Sequence, residues 1–122
     1  MPDGSRRLER GEAGRCAEEI AAIYLRLAGL ELMERNLRVG QKEIDLLLRD
    51  GDCLVFAEVR LRRSDRCGSA AESVDGSKLR LMKAALREEI HRRGWAGPYR
   101  LDLLTLDFAG ASRLVLEHFR GL

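Results

Sequence analysis

Apolar side chains follow a helical period in two stretches of the chain. Between residues 11 and 29 they recur at the spacing of one helix face, and Gly29 is a natural end for a helix. The members of this face are Ala17, Ile20, Ala21, Tyr24, Leu27 and Ala28. Residues 77–93 carry a second stripe at the same spacing, formed by Leu79, Met82, Leu86 and Ile90. The pattern predicts one helix near the start of the chain and another in its second half.

Shorter apolar runs, bounded by turn residues, predict five strands. Three of them lie between the two helices, over residues 30–39, 43–48 and 53–61. Two more follow the second helix, over residues 99–106 and 114–119. The resulting order of elements is α-β-β-β-α-β-β. This order predicts an α/β fold, with a mixed central sheet flanked by a helix on each side.

The remaining segments are polar and predict no regular structure. Residues 1–9 are expected to be a flexible lead-in, and residues 62–75 a loop. A length of 122 residues corresponds to one domain, so we expect residues 1–122 to form a single unit.

Composition excludes several classes of protein. No apolar run approaches the roughly 20 residues that span a bilayer, and the first residues lack the apolar stretch of a signal peptide. We therefore expect a cytoplasmic protein without a membrane partner. The three cysteines are far apart, and with two histidines they do not give the spacing of a structural zinc site.

Charge is distributed unevenly, although the formal net charge is only +2. Residues 1–59 contain 9 basic and 12 acidic residues, whereas residues 60–100 contain 11 basic and 5 acidic residues. Of the 22 basic residues, only Lys42, Lys78 and Lys83 are lysines. An acidic first half followed by a basic stretch suits a metal site beside a surface that binds phosphate.

Ionisable residues interrupt the second and third predicted strands, which are otherwise apolar. Side chains alternate between the two faces of a strand, which groups Glu43, Asp45 and Leu47 on one strand and Phe56, Glu58 and Arg60 on the next. The segment Asp50-Gly51-Asp52 is a strong hairpin signal between these strands.

The length of this turn decides which residues lie opposite each other. With a two-residue loop at Gly51-Asp52, Asp45 lies opposite Glu58 and Glu43 opposite Arg60. With a loop at Asp50-Gly51 the register moves by two residues and the face is still shared. A three-residue loop would place the charged residues on opposite faces and disturb the apolar pattern.

Two carboxylates in directly opposed positions have Cβ atoms about 4.5–5.5 Å apart and repel each other. A hard divalent cation would relieve this repulsion, and Mg²⁺ favours one or two carboxylates together with water and substrate phosphates. The pattern therefore indicates a metal site directed at phosphate. The alternative is a buried ion-pair cluster of Asp45, Glu58 and Arg60 without chemical function.

A set of short segments also resembles a known family. The segments are Gly14-Arg15-Cys16-Ala17-Glu18 with Ala21 and Tyr24-Leu25, Arg35-Asn36-Leu37-Arg38, Glu43-Ile44-Asp45-Leu46, Val55-Phe56-Ala57-Glu58-Val59-Arg60 with Arg62, Ala71-Glu72-Ser73-Val74, Lys78, and Arg100-Leu101-Asp102. In order and spacing, from about Gly11 to Asp107, they resemble the YraN-like family of small bacterial proteins. That family is similar to the PD-(D/E)XK nucleases, in particular to Holliday junction resolvases of the archaeal type.

The resemblance implies a restriction endonuclease-like fold with an αβββαβ core. It also implies a catalytic set of Asp45, Glu58 and Arg60. Mg²⁺, or Mn²⁺, would be held by Asp45, Glu58 and the carbonyl of Val59, with Glu18 of the first helix completing the metal shell. The implied function is metal-dependent hydrolysis of phosphodiesters in branched or structured DNA, in which Arg60 stabilises the transition state.

Basic residues near these positions are candidates for binding the nucleic-acid backbone. They comprise Arg62 and Arg63 in the polar run after the third strand, and Lys78 and Lys83 on the second helix. Lys78 also matches a lysine of the family. For helix residues such as Arg80 and Arg87, the ordinary alternative is a solvated helix face.

Three positions depart from the family pattern. Ala17 and Lys42 each replace a glycine, and Arg60 stands where the superfamily usually has lysine. Arginine remains protonated and is a poor general base, although it can still bind phosphate. Two other functions therefore stay open: a catalytically inactive nucleic-acid-binding module, and a protein-interaction factor whose acidic cluster is structural. Resolvases act on junctions with two-fold symmetry, so a homodimer is also expected from the resemblance.

Overall fold

The structure is a computed structural model that describes residues 10–63, 76–108 and 113–122. These residues form two helices and five strands in the predicted order. The elements are α1 (Arg10–Leu27), β1 (Glu31–Val39), β2 (Lys42–Asp50), β3 (Cys53–Arg63), α2 (Gly76–Arg93), β4 (Tyr99–Phe108) and β5 (Leu114–Phe119). The predicted lead-in of residues 1–9 lies outside the described residues.

The five strands form one mixed sheet in the order β1-β2-β3-β4-β5. Neighbouring strands are antiparallel except for β3 and β4, which are parallel. Parallel neighbours require a crossover connection, and α2 lies in that connection. The fold is thus an α/β fold with a mixed sheet flanked by helices, consistent with a restriction endonuclease-like αβββαβ core, as predicted.

Each helix covers one face of the sheet. On the α1 side, Ala21 and Leu25 pack in one buried cluster with sheet residues such as Val55 and Ala57. On the α2 side, Leu86 packs in a second cluster with Leu54 and Phe56. These strand residues alternate between the clusters because successive side chains of β3 point to opposite faces.

The predicted face of α1 is partly wrong. Leu27 is 85% exposed and Ala28 is also exposed, whereas Leu25 is fully buried. The helix contacts the sheet along Ala17, Ala21, Ala22 and Leu25. Gly29 follows the helix with a backbone φ of 100°, which residues other than glycine rarely adopt. The helix therefore ends near the predicted position.

The predicted loop at residues 62–75 begins too early. Arg62 and Arg63 continue β3, because they pair in register with Asp107 and Phe108 of the parallel strand β4. The rest of this predicted loop, residues 64–75, lies outside the described residues.

A charged cluster joins the end of α2 to β1. Glu89 is only 5% exposed, and its carboxylate accepts hydrogen bonds from Arg92 and Arg93, the latter at 2.6 Å from Nε. Arg93 also donates to Glu34 of β1 at 3.2 Å. The hydrogen bond from Arg92, reinforced by Arg93, holds the pKa of Glu89 below its usual value. This cluster fixes the last turn of α2 against the sheet edge.

Among the described residues, neither helix is long and apolar enough to traverse a lipid bilayer.

Candidate metal and phosphate site

The hairpin of β2 and β3 has the register expected for a two-residue turn. Asp50 pairs with Cys53, and Gly51 lies in the turn with φ of 62°. The ladder continues as far as the pair of Leu46 and Ala57. Asp45 and Glu58 are the next residue on each strand, so the hairpin brings both to the point where its regular pairing ends.

Asp45 does not share a face with Leu47, which corrects the period-two prediction. Ile44 and Leu47 both pack on the α2 side, whereas Asp45 lines a cavity on the α1 side together with Leu46. The alternation is broken next to Asn36, the β1 residue opposite Asp45, whose φ of 52° is left-handed. Asn tolerates this conformation better than most residues.

The carboxylate of Asp45 is held by the neighbouring strand. The backbone N–H of Val59 donates a hydrogen bond of 2.7 Å to Asp45 Oδ2. A side-chain acceptor thus bonds to β3 just beyond the end of the regular ladder. Charge-assisted bonds of this kind are stronger than neutral ones, which fixes the position of the carboxylate.

Glu18 of α1 and Asp45 line the same cavity on the α1 side of the sheet, which has a volume of about 200 Å³. Burial raises the pKa of Glu18 to about 7, and the hydrogen bond to Asp45 and the charges of Asp45 and Glu43 add to this effect. Arg35 opposes it. At neutral pH Glu18 can therefore keep a proton and donate a hydrogen bond to Asp45, and a cation could take the place of that proton.

Two arginines that are not among the predicted site residues line the same cavity. Arg15 lies one helical turn before Glu18, and Arg35 donates to Glu19 at 3.0 and 3.3 Å. Both arginines belong to the segments that carry the family resemblance, and this membership was the signal in the sequence that could have identified them as site residues. Their approach to Asp45 depends on how α1 packs on β1 and β2, and local pattern does not determine that packing.

Glu58 is largely buried, with 17% of its side chain exposed. Its Oε1 is buried, and no atom of the described residues forms a hydrogen bond with it. Burial raises the pKa of Glu58 to about 7, and the negative charge of Asp45 adds to this effect. The charge of Arg60 and a backbone hydrogen bond from Asp45 act in the opposite direction.

Arg60 and Lys78 lie on the α2 side of this region. Arg60 Nη2 is 3.7 Å from Glu58 Oε2, a loose ion pair in which half of the arginine side chain stays exposed. Both residues, with Glu58, line a small cavity of about 40 Å³. Glu58, Arg60 and Lys78 thus line one cavity on the α2 side, whereas Asp45 lines the cavity on the α1 side. The predicted shared face of Asp45 and Glu58 is therefore wrong, because the alternation of β2 is broken at Asp45.

The other predicted nucleic-acid contacts lie farther apart. Lys83 lines a separate cavity along α2, and Arg62 is partly buried near the end of β3. Arg63 is the last residue of β3, and its side chain lies outside the described part of the chain.

The carboxylates of this region could supply some of the ligands of a cation, with water or phosphate supplying the rest, but they do not form a complete set of protein ligands. Within residues 10–63, 76–108 and 113–122, no group of three or more His, Cys, Asp or Glu side chains is arranged to hold a metal ion. Asp45 and Glu58 nevertheless offer two carboxylates, and Glu58 Oε1 is a buried acceptor without a donor. One or two carboxylates, completed by water and phosphate, is the arrangement that Mg²⁺ uses.

Sequence comparisons find close relatives in several bacteria. The chain is 43% identical over 99 residues to a UPF0102 protein of Nitrosomonas europaea, covering 79% of this chain and 81% of the relative. It is 41% identical over 95 residues to one of Janthinobacterium sp., covering 78% and 77%. A UPF0102 protein of Frankia casuarinae is 38% identical over 109 residues, covering 88% and 92%.

Among solved structures, this chain is similar to Pyrococcus furiosus SfsA in complex with Ca²⁺. The alignment covers 88% of this chain and 62% of the SfsA chain, with a TM-score of 0.39 and 16% sequence identity. Residues 17–106 match the family described as "Uncharacterised protein family UPF0102", and that span includes Glu18, Asp45, Glu58 and Arg60. Together with the identities to its bacterial relatives, this match establishes that the chain belongs to the UPF0102 family.

Proposed function

We propose that this protein is a metal-dependent endonuclease that hydrolyses phosphodiesters in branched or structured DNA, with Mg²⁺ or Mn²⁺ as its cofactor. The observation that carries the proposal is the position of Asp45 and Glu58 just beyond the end of the hairpin ladder, close enough for the charge of Asp45 to raise the pKa of Glu58. Glu58 Oε1 is buried without a hydrogen-bond partner among the described residues, and Glu58 Oε2 lies 3.7 Å from Arg60 Nη2. The endonuclease-like order of helices and strands supports it.

Asp45 and Glu58 would hold the metal, with the carbonyl of Val59 as a third ligand. The N–H of Val59 bonds to Asp45. Because the N–H and C=O of one strand residue point towards the same neighbouring strand, the Val59 carbonyl is on the Asp45 side of β3. Glu18 would complete the shell through Asp45 or through water, since its carboxyl group already interacts with that of Asp45.

The bound metal would act as a Lewis acid towards the phosphate and lower the pKa of a coordinated water. Arg60 would bind a non-bridging phosphate oxygen, since its guanidinium is half exposed and already lies near Glu58. A fixed cation at this position stabilises the negative charge that develops in the transition state. Arg60 would not remove a proton from water, because arginine stays protonated.

The surrounding basic side chains would bind the backbone on either side of the scissile phosphate. Lys78 is the best placed of them, because it lines the same cavity as Glu58 and Arg60. Arg62, Arg63 and Lys83 would contribute contacts farther from the metal. A homodimer would match the two-fold symmetry of a DNA junction, and sedimentation of the protein with and without junction DNA tests this.

The test of the proposal is incubation of the protein with four-way junction, flap and plasmid DNA in the presence of Mg²⁺ or Mn²⁺. We expect cleavage of at least one substrate, loss of cleavage in EDTA, and loss of cleavage in Glu58→Ala. Glu31→Ala is the matched control, because Glu31 is an exposed glutamate of β1 that pairs with Arg49, near the opposite end of β2 from Asp45, and this variant should cleave like the parent. If the parent cuts none of these substrates, the nuclease proposal is wrong.

A second candidate is a nucleic-acid-binding module without hydrolysis. The observation that favours it is Arg60 itself, since arginine cannot take over the proton transfer that a lysine can perform. In that case Glu58→Ala and Asp45→Ala would bind DNA as well as the parent, and the parent would not cut it. Absence of both DNA and metal binding would instead favour a protein-interaction factor with a structural acidic cluster.

A further inference from the structure

A third cavity lies along α2, away from the three carboxylates. Its volume is about 270 Å³, larger than the two cavities of the candidate site. Three basic residues line it, namely Lys83 and Arg87 of α2 and Arg100 of β4, and no Asp or Glu side chain is among the described residues that line it. A water molecule occupies about 30 Å³ in the liquid, so this space is large enough for a phosphate group with its sugar.

We propose that this basic cleft of Lys83, Arg87 and Arg100 is a second binding subsite for the phosphate backbone, occupied by the nucleic-acid strand that continues from the metal site. The proposal rests on the proposed function insofar as it takes nucleic acid to be the ligand. Beyond the metal site, it assigns a second binding site, adds Arg87 and Arg100 to the residues that contact nucleic acid, and sets the length of strand that the protein covers.

The three cations have different roles in the cleft. Arg100 is anchored, because it donates to Asp102 at 3.0 Å and to Asp50 at 3.1 Å, and its charge is therefore compensated. Lys83 and Arg87 are exposed and form no salt bridge with any residue of the described ranges. The uncompensated positive charge of the cleft thus comes from two side chains of α2, which are available to an anion.

An aromatic ring adds a contact that a small anion would not need. Tyr99 lines the cleft with 36% of its surface exposed, and its ring is held edge-on against the buried ring of Phe56, with centroids 6.5 Å apart. A fixed ring that is about one-third exposed and lies beside cations can pack against a sugar or a base. The combination favours a polynucleotide over free phosphate.

The cleft is contiguous with the candidate site. Leu101 and Leu122 line both this cleft and the small cavity that holds Glu58, Arg60 and Lys78. Along α2, Lys78 and Arg87 are nine residues apart, which corresponds to about 13 Å at 1.5 Å per residue. A strand of duplex DNA advances about 3.4 Å per nucleotide, so this distance spans roughly four nucleotides. Because the cavity of Lys78 and the cleft share a wall at Leu101 and Leu122, one continuous strand that passes over this wall could contact both.

The test is binding of fluorescently labelled junction DNA in EDTA, so that no cleavage contributes to the signal. We compare the parent, Lys83→Gln, Arg87→Gln and the double variant over a range of salt concentrations. Each lost phosphate contact should reduce the slope of log K against log salt by about 0.9, and the double variant by about twice that. The control is Arg80→Gln, since Arg80 is an exposed basic residue on α2 that lines neither cavity. This variant should bind the DNA with the affinity of the parent.

Length of DNA gives an independent measure. A duplex arm shortened by about four nucleotides on the side of the cleft should bind the parent as weakly as the full-length arm binds the double variant. The proposal is overturned if the double variant has the affinity and salt slope of Arg80→Gln.

The outcome is separable from the nuclease proposal. If the parent binds DNA but never cuts it, and the double variant loses the two salt-dependent contacts, the subsite stands and only hydrolysis fails. If the parent cuts DNA and the double variant binds like the parent, the subsite alone is wrong. If the parent binds no DNA at all, both proposals are wrong.

Discussion

The carboxylate of Asp45 accepts a 2.7 Å hydrogen bond from the backbone of Val59, the residue that follows Glu58 in β3. This bond ties the only strongly polar side chain in the middle of β2 to the neighbouring strand. It keeps the Asp45 carboxylate next to Glu58 although like charges repel, and burial together with this repulsion raises the pKa of Glu58 to about 7. The fold therefore maintains a local excess of negative charge that a cation would neutralise.

Metal binding should stabilise the parent protein and not the variant Asp45→Asn. Asparagine keeps an oxygen that can accept the bond from Val59, but it removes the charge that attracts the cation. At a free Mg²⁺ concentration of 100 times the dissociation constant, binding adds about 2.7 kcal/mol, which raises Tm by several degrees. Thermal melting with Mg²⁺ and with EDTA measures the difference. An equal rise in Asp45→Asn would show that the cation binds elsewhere.

Stability should fall as the pH rises from about 4.5 to 7 in the absence of divalent metal. The pKa of Glu58 is about 7 in the folded protein against an ordinary value of 4.5, so the folded state holds a proton that the unfolded state has released. The stabilisation is complete below pH 4.5 and is lost as the pH passes 7. Glu58→Gln, which cannot ionise, should lack this component of the profile. Melting curves between pH 4 and pH 8 test it, and a parent profile identical to that of Glu58→Gln would contradict the raised pKa.

Glu89 should produce the opposite dependence on pH. Because its pKa is lowered by Arg92 and Arg93, its contribution is present above pH 4.5 and is lost as the pH falls through the lower, folded-state pKa. Glu89→Ala removes the carboxylate that Arg92 and Arg93 share, and because both arginines remain in contact with solvent it should cost about 1 kcal/mol in the free energy of unfolding. Urea denaturation at pH 7 measures this cost. Glu88→Ala, an exposed neighbour on the same helix, should change stability by less than about 0.5 kcal/mol.

Arg60 should affect the rate of cleavage more than the binding of DNA. If Arg60 stabilises charge in the transition state, Arg60→Gln should lower kcat by roughly 100-fold or more while binding in EDTA changes little. Arg60→Lys should restore much of the rate, since it returns a cation to the same position. Loss of binding affinity with an unchanged kcat would instead make Arg60 a simple backbone contact.

The sequence predicted a tight hairpin turn but left its register open between a loop at Gly51-Asp52 and one at Asp50-Gly51, and the structure selects the first. The sequence did not predict the orientation of Asp45. Gly51 signals the turn locally, and counting from the turn brings Asp45 and Glu58 to the end of the ladder. The break in alternation at Asp45 depends on the left-handed Asn36 in the adjacent strand, a feature that the letters of β2 do not contain.

Tertiary packing also accounts for the other differences. Arg62 and Arg63 were predicted to be in a loop because they are polar, but pairing with β4 extends the strand. Leu25 is buried in place of Leu27 because α1 packs on the sheet along Ala17, Ala21, Ala22 and Leu25. Arg15 and Arg35 reach the cavity of Asp45 for the same reason.

The parallel pairing of β3 with β4 has a consequence for the order of folding. Leu54 pairs with Tyr99, 45 residues later in the chain, whereas the pairs within β1, β2 and β3 are separated by far shorter loops. Closing the longer loop costs more entropy, so the β1-β2-β3 meander should form before β4 docks. Pulse-labelling by hydrogen exchange should then show protection of residues 42–57 ahead of residues 99–108. Asp45 and Glu58 would come together early in folding, and the basic cleft that includes Arg100 would be completed last.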